Sequence, residues 1–380
     1  MNQVQSDPLN IGVLFSQKGV MDVSESAHLQ GILLACAEIN AGGGISGRLL
    51  TPVILDPQGD DKRYAELAAD LLLKHRVNAI FGCCLSSSRK AVLPVIERFN
   101  GMLFYPSVYE GFEYSPNVIY GGAVPNQLVL PLLEYLFATQ GRRIALIGSD
   151  TLYAREINRI VKEFLAESSG TSVLEKYLPF SATPEDFIHA AKLVTSQGAD
   201  AVLSTVVGRN SIAFYEAYAE VTGPAKRAPI ASLTTTESEL AQMRPEARRG
   251  NLAVAPYFGT LVNTANEAFV AKFRGKYGSG GPGVYSEVAY SLVHFYANAL
   301  ELAGSEDTDA ILGALSGAVF KAPGGDVHID TETNHFSIRP LIGKANAEGQ
   351  YDIVWQSPTV IRADPYLIAY DRSVSKLMVL

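Results

Sequence analysis

Short apolar runs alternate along the chain with segments of helical periodicity. The first apolar run covers residues 11–15, and Ile32, Ala35, Cys36 and Ile39 then recur at the i, i+3, i+4, i+7 spacing of one helix face. Strand and helix patterns continue to alternate through residue 120. This alternation predicts a doubly wound parallel sheet.

The alternation restarts after residue 121. The predicted helices of this second set cover residues 126–139, 153–167, 184–197 and 212–221, and its predicted strands cover 143–147, 173–177, 201–204 and 229–232. A strand at 252–257, helices at 264–277, 285–303 and 309–316, and strands at 327–329, 335–342 and 351–355 complete the chain. Two βα sets of similar size predict an α/β protein of two lobes.

Residues 80–121 carry the clearest chemical signal. An apolar run ends in a Gly-Cys-Cys-Leu turn and reaches Ser86, Ser87 and Ser88, where a helical pattern begins at once. The free N–H groups and the dipole of a helix start favour an acceptor oxygen of a ligand. The next strand, 102–105, is followed by Ser107, a second hydroxyl at the same edge. We therefore expect a binding site at the carboxyl ends of parallel strands.

Four strand ends carry small hydroxyl residues: 86–88, 149–151, 204–205 and 232–236. Ser, Thr and Asp at such positions are commonly helix N-caps, and that is the alternative interpretation for each loop taken alone. Convergence of four loops favours a small-molecule site. Charge is sparse there, limited to Asp150, Arg209 and Glu237, and Arg89 is expected to be a solvated helix residue. The sequence thus predicts a small neutral or zwitterionic polar ligand.

Composition excludes several classes of function. The 380 residues carry a net charge of −8 with no basic cluster, so direct nucleic-acid binding is not expected. No run of 18 apolar residues predicts a membrane span. Without a recognisable signal peptide the chain is expected to be cytoplasmic, or periplasmic if a signal was removed. Three cysteines, two of them adjacent, do not indicate a disulfide framework.

Signatures of catalysis are missing from the sequence. It contains no G-x-S-x-G, HExxH, CxxC or phosphate-loop motif, so no catalytic residue, metal or cofactor is predicted. The six histidines lie outside the hydroxyl-bearing loops, and a nucleophilic serine needs a base within reach.

Several segments also carry a family resemblance. RKAVLPVIER, YPSVYEGFEYSPN, ASLTTTESE and the WQSP…DPY region resemble amide receptors that negatively regulate aliphatic amidase expression. These receptors belong to the type I periplasmic-binding-protein superfamily. AEINAGGGISGR is typical of the wider group, which includes the urea, short-chain amide and branched-chain amino-acid receptors of ABC transporters.

The resemblance covers nearly the whole chain and implies an architecture. Lobe 1 would comprise residues 1–121 and 256–330, and lobe 2 residues 122–255 and 331–380. A three-segment hinge would join them and let them close on a ligand in the interlobe cleft. By motif, the implied ligand-binding residues are Cys84, Ser86, Tyr105, Ser107, Thr151, Tyr153, Val206 and Thr234.

Two of these positions depart from the amide receptors. Cys84 and Thr151 stand where those receptors have tyrosine. Because each change removes an aromatic ring, a roomier site is expected, which argues against acetamide itself.

Three functions follow as alternatives. The first is a cytoplasmic sensor that binds an amide-like ligand and acts on an antiterminator-type regulator of amidase expression. The second is the solute-binding component of an ABC transporter for urea, short-chain amides or amino acids, with a permease as partner. The third, an enzyme, is the least favoured. A homo-oligomer is left open.

Overall fold

The computed structural model describes residues 7–223, 227–278 and 280–368. Its strands, in chain order, are β1 Leu9–Leu14, β2 Leu50–Leu55, β3 Ala79–Gly82, β4 Met102–Tyr105, β5 Val118–Tyr120, β6 Arg143–Ser149, β7 Thr171–Leu178, β8 Ala201–Thr205, β9 Ile230–Ser232, β10 Leu252–Ala255, β11 Val319–Ala322, β12 Gly325–Ile329, β13 Phe336–Ser337, β14 Leu341–Ala345 and β15 Tyr351–Gln356. Its helices are α1 Asp22–Ala41, α2 Asp61–Leu73, α3 Ser86–Arg98, α4 Pro125–Thr139, α5 Leu152–Glu167, α6 Pro184–Gln197, α7 Arg209–Thr222, α8 Glu237–Leu240, α9 Pro245–Arg248, α10 Thr264–Tyr277, α11 Val284–Ala303 and α12 Thr308–Leu315.

The described residues form two compact units. Unit 1 is drawn from Met1–Ser107, Tyr114–Gly122 and Asn263–Ser337. Unit 2 is drawn from Val108–Glu113, Ala123–Val262 and Ile338–Leu380.

Each unit is built on a sheet whose parallel strands alternate with helices. In unit 1 the order β2-β1-β3-β4-β5 is parallel throughout. In unit 2 the parallel run β7-β6-β8-β9-β10 is extended by β14 and β15, which are antiparallel to their neighbours. The predicted α/β class with two parallel-sheet lobes is confirmed, and the two antiparallel strands at the edge of the second sheet are an addition to it.

Local sequence signals account for many element ends. Asp60, at the N-cap of α2, accepts a hydrogen bond from the backbone N–H of Arg63 at 3.0 Å. Asn263 does the same for α10 through the N–H of Asn266 at 2.8 Å. Short polar side chains favour these positions because their oxygens satisfy N–H groups that the helix leaves open.

One predicted strand is wrong. Residues 335–342 are not one strand but two, since β13 pairs with β12 in unit 1 and β14 pairs with β10 in unit 2. Pro340 lies between them and has no N–H for a sheet ladder, which interrupts the pairing.

The unit boundaries differ from the lobe boundaries expected at residues 121, 255 and 330. The loop after β10 stays with unit 2 through the Gly259 N–H, which donates to the Glu237 carboxylate at 3.0 Å. Residues 331–337 stay with unit 1, because β13 pairs with β12. Residues 108–113 belong to unit 2, where the N–H of Phe112 donates to the Pro365 carbonyl at 2.8 Å.

Helices α1 and α11 approach each other closely within unit 1. A Cβ built on Gly31 of α1 would lie 2.1 Å from the backbone oxygen of Ser286 in α11. The Ser286 hydroxyl also donates to the Ala27 carbonyl at 2.9 Å. Position 31 therefore has room for glycine only, although glycine is a poor helix former.

We expect Gly31→Ala to destabilise the protein by about 1–3 kcal/mol. The new methyl group would clash with the backbone of α11, which cannot move aside as a flexible side chain could. Gly275→Ala in α10 is the matched control, since no heavy atom lies within 4 Å of a Cβ there. That change should be neutral or stabilise by up to about 1 kcal/mol through helix propensity. Urea denaturation of both variants is the measurement, and equal midpoints would contradict the packing argument.

Candidate ligand-binding site

The predicted site residues fall into two sets, one in each unit. Cys84, Ser86, Tyr105 and Ser107 lie at the carboxyl edge of the five-stranded sheet of unit 1. Thr151, Tyr153, Val206 and Thr234 lie at the carboxyl edge of the seven-stranded sheet of unit 2.

In unit 1, the loops after β3 and β4 are held together by hydrogen bonds. The strands are neighbours, with Phe81 paired to Phe104. The Tyr105 hydroxyl donates to the Cys84 carbonyl at 2.9 Å, and the Ser107 Oγ lies 3.5 Å from the Cys83 carbonyl. Parallel neighbours thus bring the two predicted serine-bearing loops to one edge, as the sequence indicated.

Ser86 is the first residue of α3 rather than its N-cap. Leu85 occupies the N-cap position and offers no side-chain hydrogen bond to the helix start. The Ser86 side chain is buried. The capping interpretation of this loop is therefore wrong, because no N-cap side chain bonds to the start of α3.

In unit 2 the hydroxyls mostly hold their own loops. The Thr151 Oγ1 accepts from the Ala154 N–H at 3.2 Å and so caps α5. The Ser149 Oγ accepts from the Val207 N–H at 3.2 Å, and the Ser232 Oγ accepts from the Thr234 N–H at 3.1 Å. The N-cap interpretation is therefore confirmed for Thr151, whereas Ser149 and Ser232 hold loop backbone instead.

Two other predicted residues of unit 2 meet directly. The Thr234 hydroxyl donates to the Val206 carbonyl at 3.2 Å, which joins the loops after β8 and β9. Tyr153, at the start of α5, is buried, and burial together with the charge of Glu110 raises the pKa of its hydroxyl well above 10. This phenol stays protonated and can act as a neutral donor or acceptor.

Arg89 is not solvated as expected. Its side chain is fully buried, and its guanidinium carbon lies 4.8 Å from the centre of the Tyr105 ring. Arg89, Val92 and Ile96 follow the spacing of one helix face and form the buried side of α3. This spacing was the sequence signal for the burial of Arg89.

His28 is the residue that sequence reasoning missed most clearly. It lies on α1, far from the hydroxyl loops in sequence, but its Nε2 is 3.2 Å from the Ser107 Oγ. Its ring stacks on Phe15 and Tyr285 at centroid distances of 5.2 and 4.5 Å. His28 lies outside the hydroxyl-bearing loops in sequence, as stated above, but reaches one of their residues in space.

His28 and Ser107 are as far apart as a general base and its nucleophile would be, but His28 is too weakly basic for that role. Burial lowers the pKa of His28 from 6.5 to about 3. A general base works best with a pKa near the operating pH. At neutral pH the ring is therefore a hydrogen-bond partner for Ser107 rather than an effective proton acceptor.

A second missed group surrounds the end of β1, the central neighbour of β3. The Glu25 carboxylate accepts from the Ser16 N–H and from the Tyr64 hydroxyl, the latter at 2.7 Å. The Ser16 Oγ in turn accepts from the Gly59 N–H at 2.8 Å. This buried network fixes the loop after β1 to the loop before α2. The sequence signal that could have indicated this network is Ser16, a hydroxyl residue that follows β1.

Buried carboxyl groups stand at both edges. Burial raises the pKa of Glu25 and of Glu237 from 4.5 to about 7. Within the described residues, no group of three or more His, Cys, Asp or Glu side chains is arranged to hold a metal ion. Cys36, Cys83 and Cys84 are buried and are not joined in disulfides.

Comparison with known proteins identifies the class. The periplasmic binding protein domain profile matches residues 9–372, so the chain belongs to the periplasmic binding protein family. Leu/Ile/Val-binding protein homolog 7 of Brucella abortus is 24% identical over 345 residues, which cover 83% of each chain. Limonene hydroxylase of Geobacillus stearothermophilus is 33% identical over 121 residues, but the match spans only 31% of this chain and 22% of that protein.

Solved structures agree on the fold. A solute-binding protein of an ABC transporter from Rhodopseudomonas palustris BisB5, in complex with 3,4-dihydroxybenzoic acid, superposes with a TM-score of 0.84 at 19% identity, covering 93% of this chain and 98% of that one. The branched-chain amino acid binding protein LivJ of Streptococcus pneumoniae, in complex with isoleucine, gives a TM-score of 0.81 at 20% identity, covering 92% and 99%. Among the described residues, no helix is both long and apolar enough to cross a membrane.

The Glu25 network predicts a pH dependence. Because the folded-state pKa lies above 4.5, Glu25 contributes its full stability below pH 4.5 and loses it as the pH rises through about 7. Glu25→Gln cannot ionise, so its free energy of unfolding should rise relative to wild type between pH 4.5 and 8. The gain should reach a few kcal/mol, since one pKa unit is about 1.4 kcal/mol.

Glu66→Gln, at an exposed position of α2, is the control and should show no such trend. Denaturant titrations at several pH values make the comparison. A difference between Glu25→Gln and wild type that stays constant with pH would refute the assignment.

Proposed function

We propose that this protein is the solute-binding component of an ABC transporter and binds an amino acid or a short amide without transforming it. The observation that carries the proposal is the match to a Leu/Ile/Val-binding protein homolog over 83% of both chains. We place it in the periplasm, in place of the cytoplasm that the sequence analysis favoured. The regulator of amidase expression implied by the local motifs is the alternative outcome of the tests below.

The chemistry of the unit 1 edge supports a ligand that carries both an acceptor and a donor. The Ser86 hydroxyl, at a helix start that has no side-chain cap, can donate to a carboxylate or carbonyl oxygen. Ser107 lies at the end of the neighbouring strand and can meet the other end of the same polar group. Amino acids and primary amides both have this pairing of oxygen and N–H within a few bonds.

Unit 2 supports the same ligand class. Glu237 is a buried carboxyl three residues after Thr234 in the sequence, and it accepts from the Gly259 N–H at 3.0 Å. With a pKa near 7, it would ionise readily beside an ammonium group. The cleft between the two lobes stays a prediction of the sequence analysis.

Binding without catalysis is supported by the low basicity of His28. A hydrolase would need the Ser107 proton removed near neutral pH, and a ring with a pKa of about 3 does that poorly. The partial match to limonene hydroxylase covers too little of either chain to support an oxidative function.

The test combines binding, chemistry and physiology. Calorimetric titration with a graded series of amides, ureas, amino acids and hydroxybenzoates should find binding, most tightly to members larger than acetamide, and mass spectrometry should recover them unchanged. A ligand at 100 times its Kd should stabilise the fold by about 2.7 kcal/mol. Deleting the gene should abolish uptake of that ligand. Unchanged uptake with altered amidase expression would favour the regulator, and a converted ligand would favour an enzyme.

We expect Ser86→Ala to weaken ligand binding by roughly 5- to 150-fold, since a ligand oxygen loses a buried donor at a cost of about 1–3 kcal/mol. Ser87→Ala is the matched control. Ser87 is exposed and its hydroxyl donates to Asp61 at 3.1 Å, so its loss should leave affinity unchanged. The measurement is a calorimetric titration of both variants with the tightest-binding ligand of the series. Equal affinities for the two variants would exclude Ser86 from the site.

A further inference from the structure

We infer that His28 is a positioning residue that makes Ser107 an obligate hydrogen-bond acceptor, so that this corner of the site selects ligands with an N–H group. The inference rests on the proposed function, because it concerns how a bound ligand is recognised. His28 and Ser107 both belong to unit 1.

The first step is the tautomer of His28. Its Nδ1 lies 2.9 Å from the Ser24 carbonyl oxygen. A carbonyl can only accept, so Nδ1 must carry the proton. The ring is fully buried between Phe15 and Tyr285, where a second proton would be strongly disfavoured. Nε2 therefore presents a lone pair.

The second step is the hydroxyl of Ser107. Its Oγ has two neighbours within hydrogen-bond distance, His28 Nε2 at 3.2 Å and the Cys83 carbonyl at 3.5 Å. Both are acceptors, and a serine hydroxyl has a single proton. Whichever neighbour takes that proton, Ser107 has none left for a ligand.

The third step is the consequence for recognition. The remaining lone pairs of Ser107 can accept from an ammonium or amide N–H, but an ester or carboxylate oxygen placed there would face an acceptor. A buried polar group left without a partner costs about 1–3 kcal/mol, and a cost of about 1.4 kcal/mol already corresponds to tenfold in affinity. Selectivity at this corner is thus set by a residue that need not touch the ligand.

The surroundings of His28 keep its ring in the orientation that directs the Nε2 lone pair at Ser107. The ring is stacked on both faces, and the helix that carries it is fixed by the Gly31–Ser286 approach one turn later. A 180° flip of the imidazole would place carbon atoms where Nδ1 and Nε2 now lie, and would break both the Ser24 and the Ser107 contacts.

The experiment measures the binding ratio for matched probes: isobutyramide against methyl isobutyrate, and L-leucine against 4-methylpentanoate. Wild type should favour the N–H member of each pair by about tenfold or more. His28→Phe retains an aromatic ring for stacking but removes the nearer acceptor. Only the long 3.5 Å contact with the Cys83 carbonyl then competes with a ligand for the Ser107 proton, so the ratio should fall about tenfold. In the Ser107→Ala background, adding His28→Phe should change the ratio no further, because His28 acts through Ser107.

His294→Phe is the matched control. His294 is a half-buried imidazole of unit 1, stacked on Phe320 at 5.2 Å, and its removal should leave the ratio unchanged. If neither member of either pair binds wild type, both the proposed function and this inference fail. If the probes bind but His28→Phe preserves the ratio, the inference alone fails.

A spectroscopic measurement tests the first step without any ligand and without any variant having to fold. In wild-type protein labelled with ¹⁵N-histidine, the His28 imidazole should show a protonated Nδ1 and a bare Nε2 at neutral pH. A proton on Nε2 would turn Ser107 into a donor and overturn the inference.

Discussion

The parallel register of the first sheet is the constraint on which the candidate site depends. Since β1, β3 and β4 run in one direction side by side, the loops that follow them are compelled to share an edge. The backbone of those loops must then find partners there. Glu25, Tyr105 and Ser107 supply them, and each is buried as a result. Only the hydrogen-bonding groups that these internal contacts do not use are available to recognise a ligand.

The same edge in the second unit shows the contrast. There the hydroxyls of Ser149, Thr151 and Ser232 are used to close loops and to cap a helix. In unit 1, the helix after β3 starts without a side-chain cap, at Leu85. The two edges carry similar residue types. In unit 2 these hydroxyls accept from backbone N–H groups and hold the loops, whereas in unit 1 the Ser86 hydroxyl does not cap the helix that it begins.

The fold was largely predictable because its elements are strongly periodic. α6 and α10 were predicted with the bounds that the structure gives, since a proline or an asparagine marks their starts. The predicted strand 335–342 failed because periodicity alone does not register that Pro340 interrupts a sheet. The site was predictable to the extent that it lies in loops after strands. His28 and Arg89 were missed because both act from inside a helix, and no local pattern indicates which distant loop such a side chain will reach.

The Gly31–Ser286 approach has a consequence for how the chain is assembled. α1 is among the first elements to leave the ribosome, whereas α11, the helix that lies against it, is completed some 250 residues later. During synthesis the face of α1 that carries Gly31 has no α11 to pack against. At a translation rate of about 5–20 residues per second, this interval lasts on the order of ten seconds or more. Val23, Ile32 and Ala35, buried in the finished unit, are candidates for exposure in the interval. The length of the interval in which this apolar face lacks its native partner is thus set by chain order rather than by the stability of the finished fold.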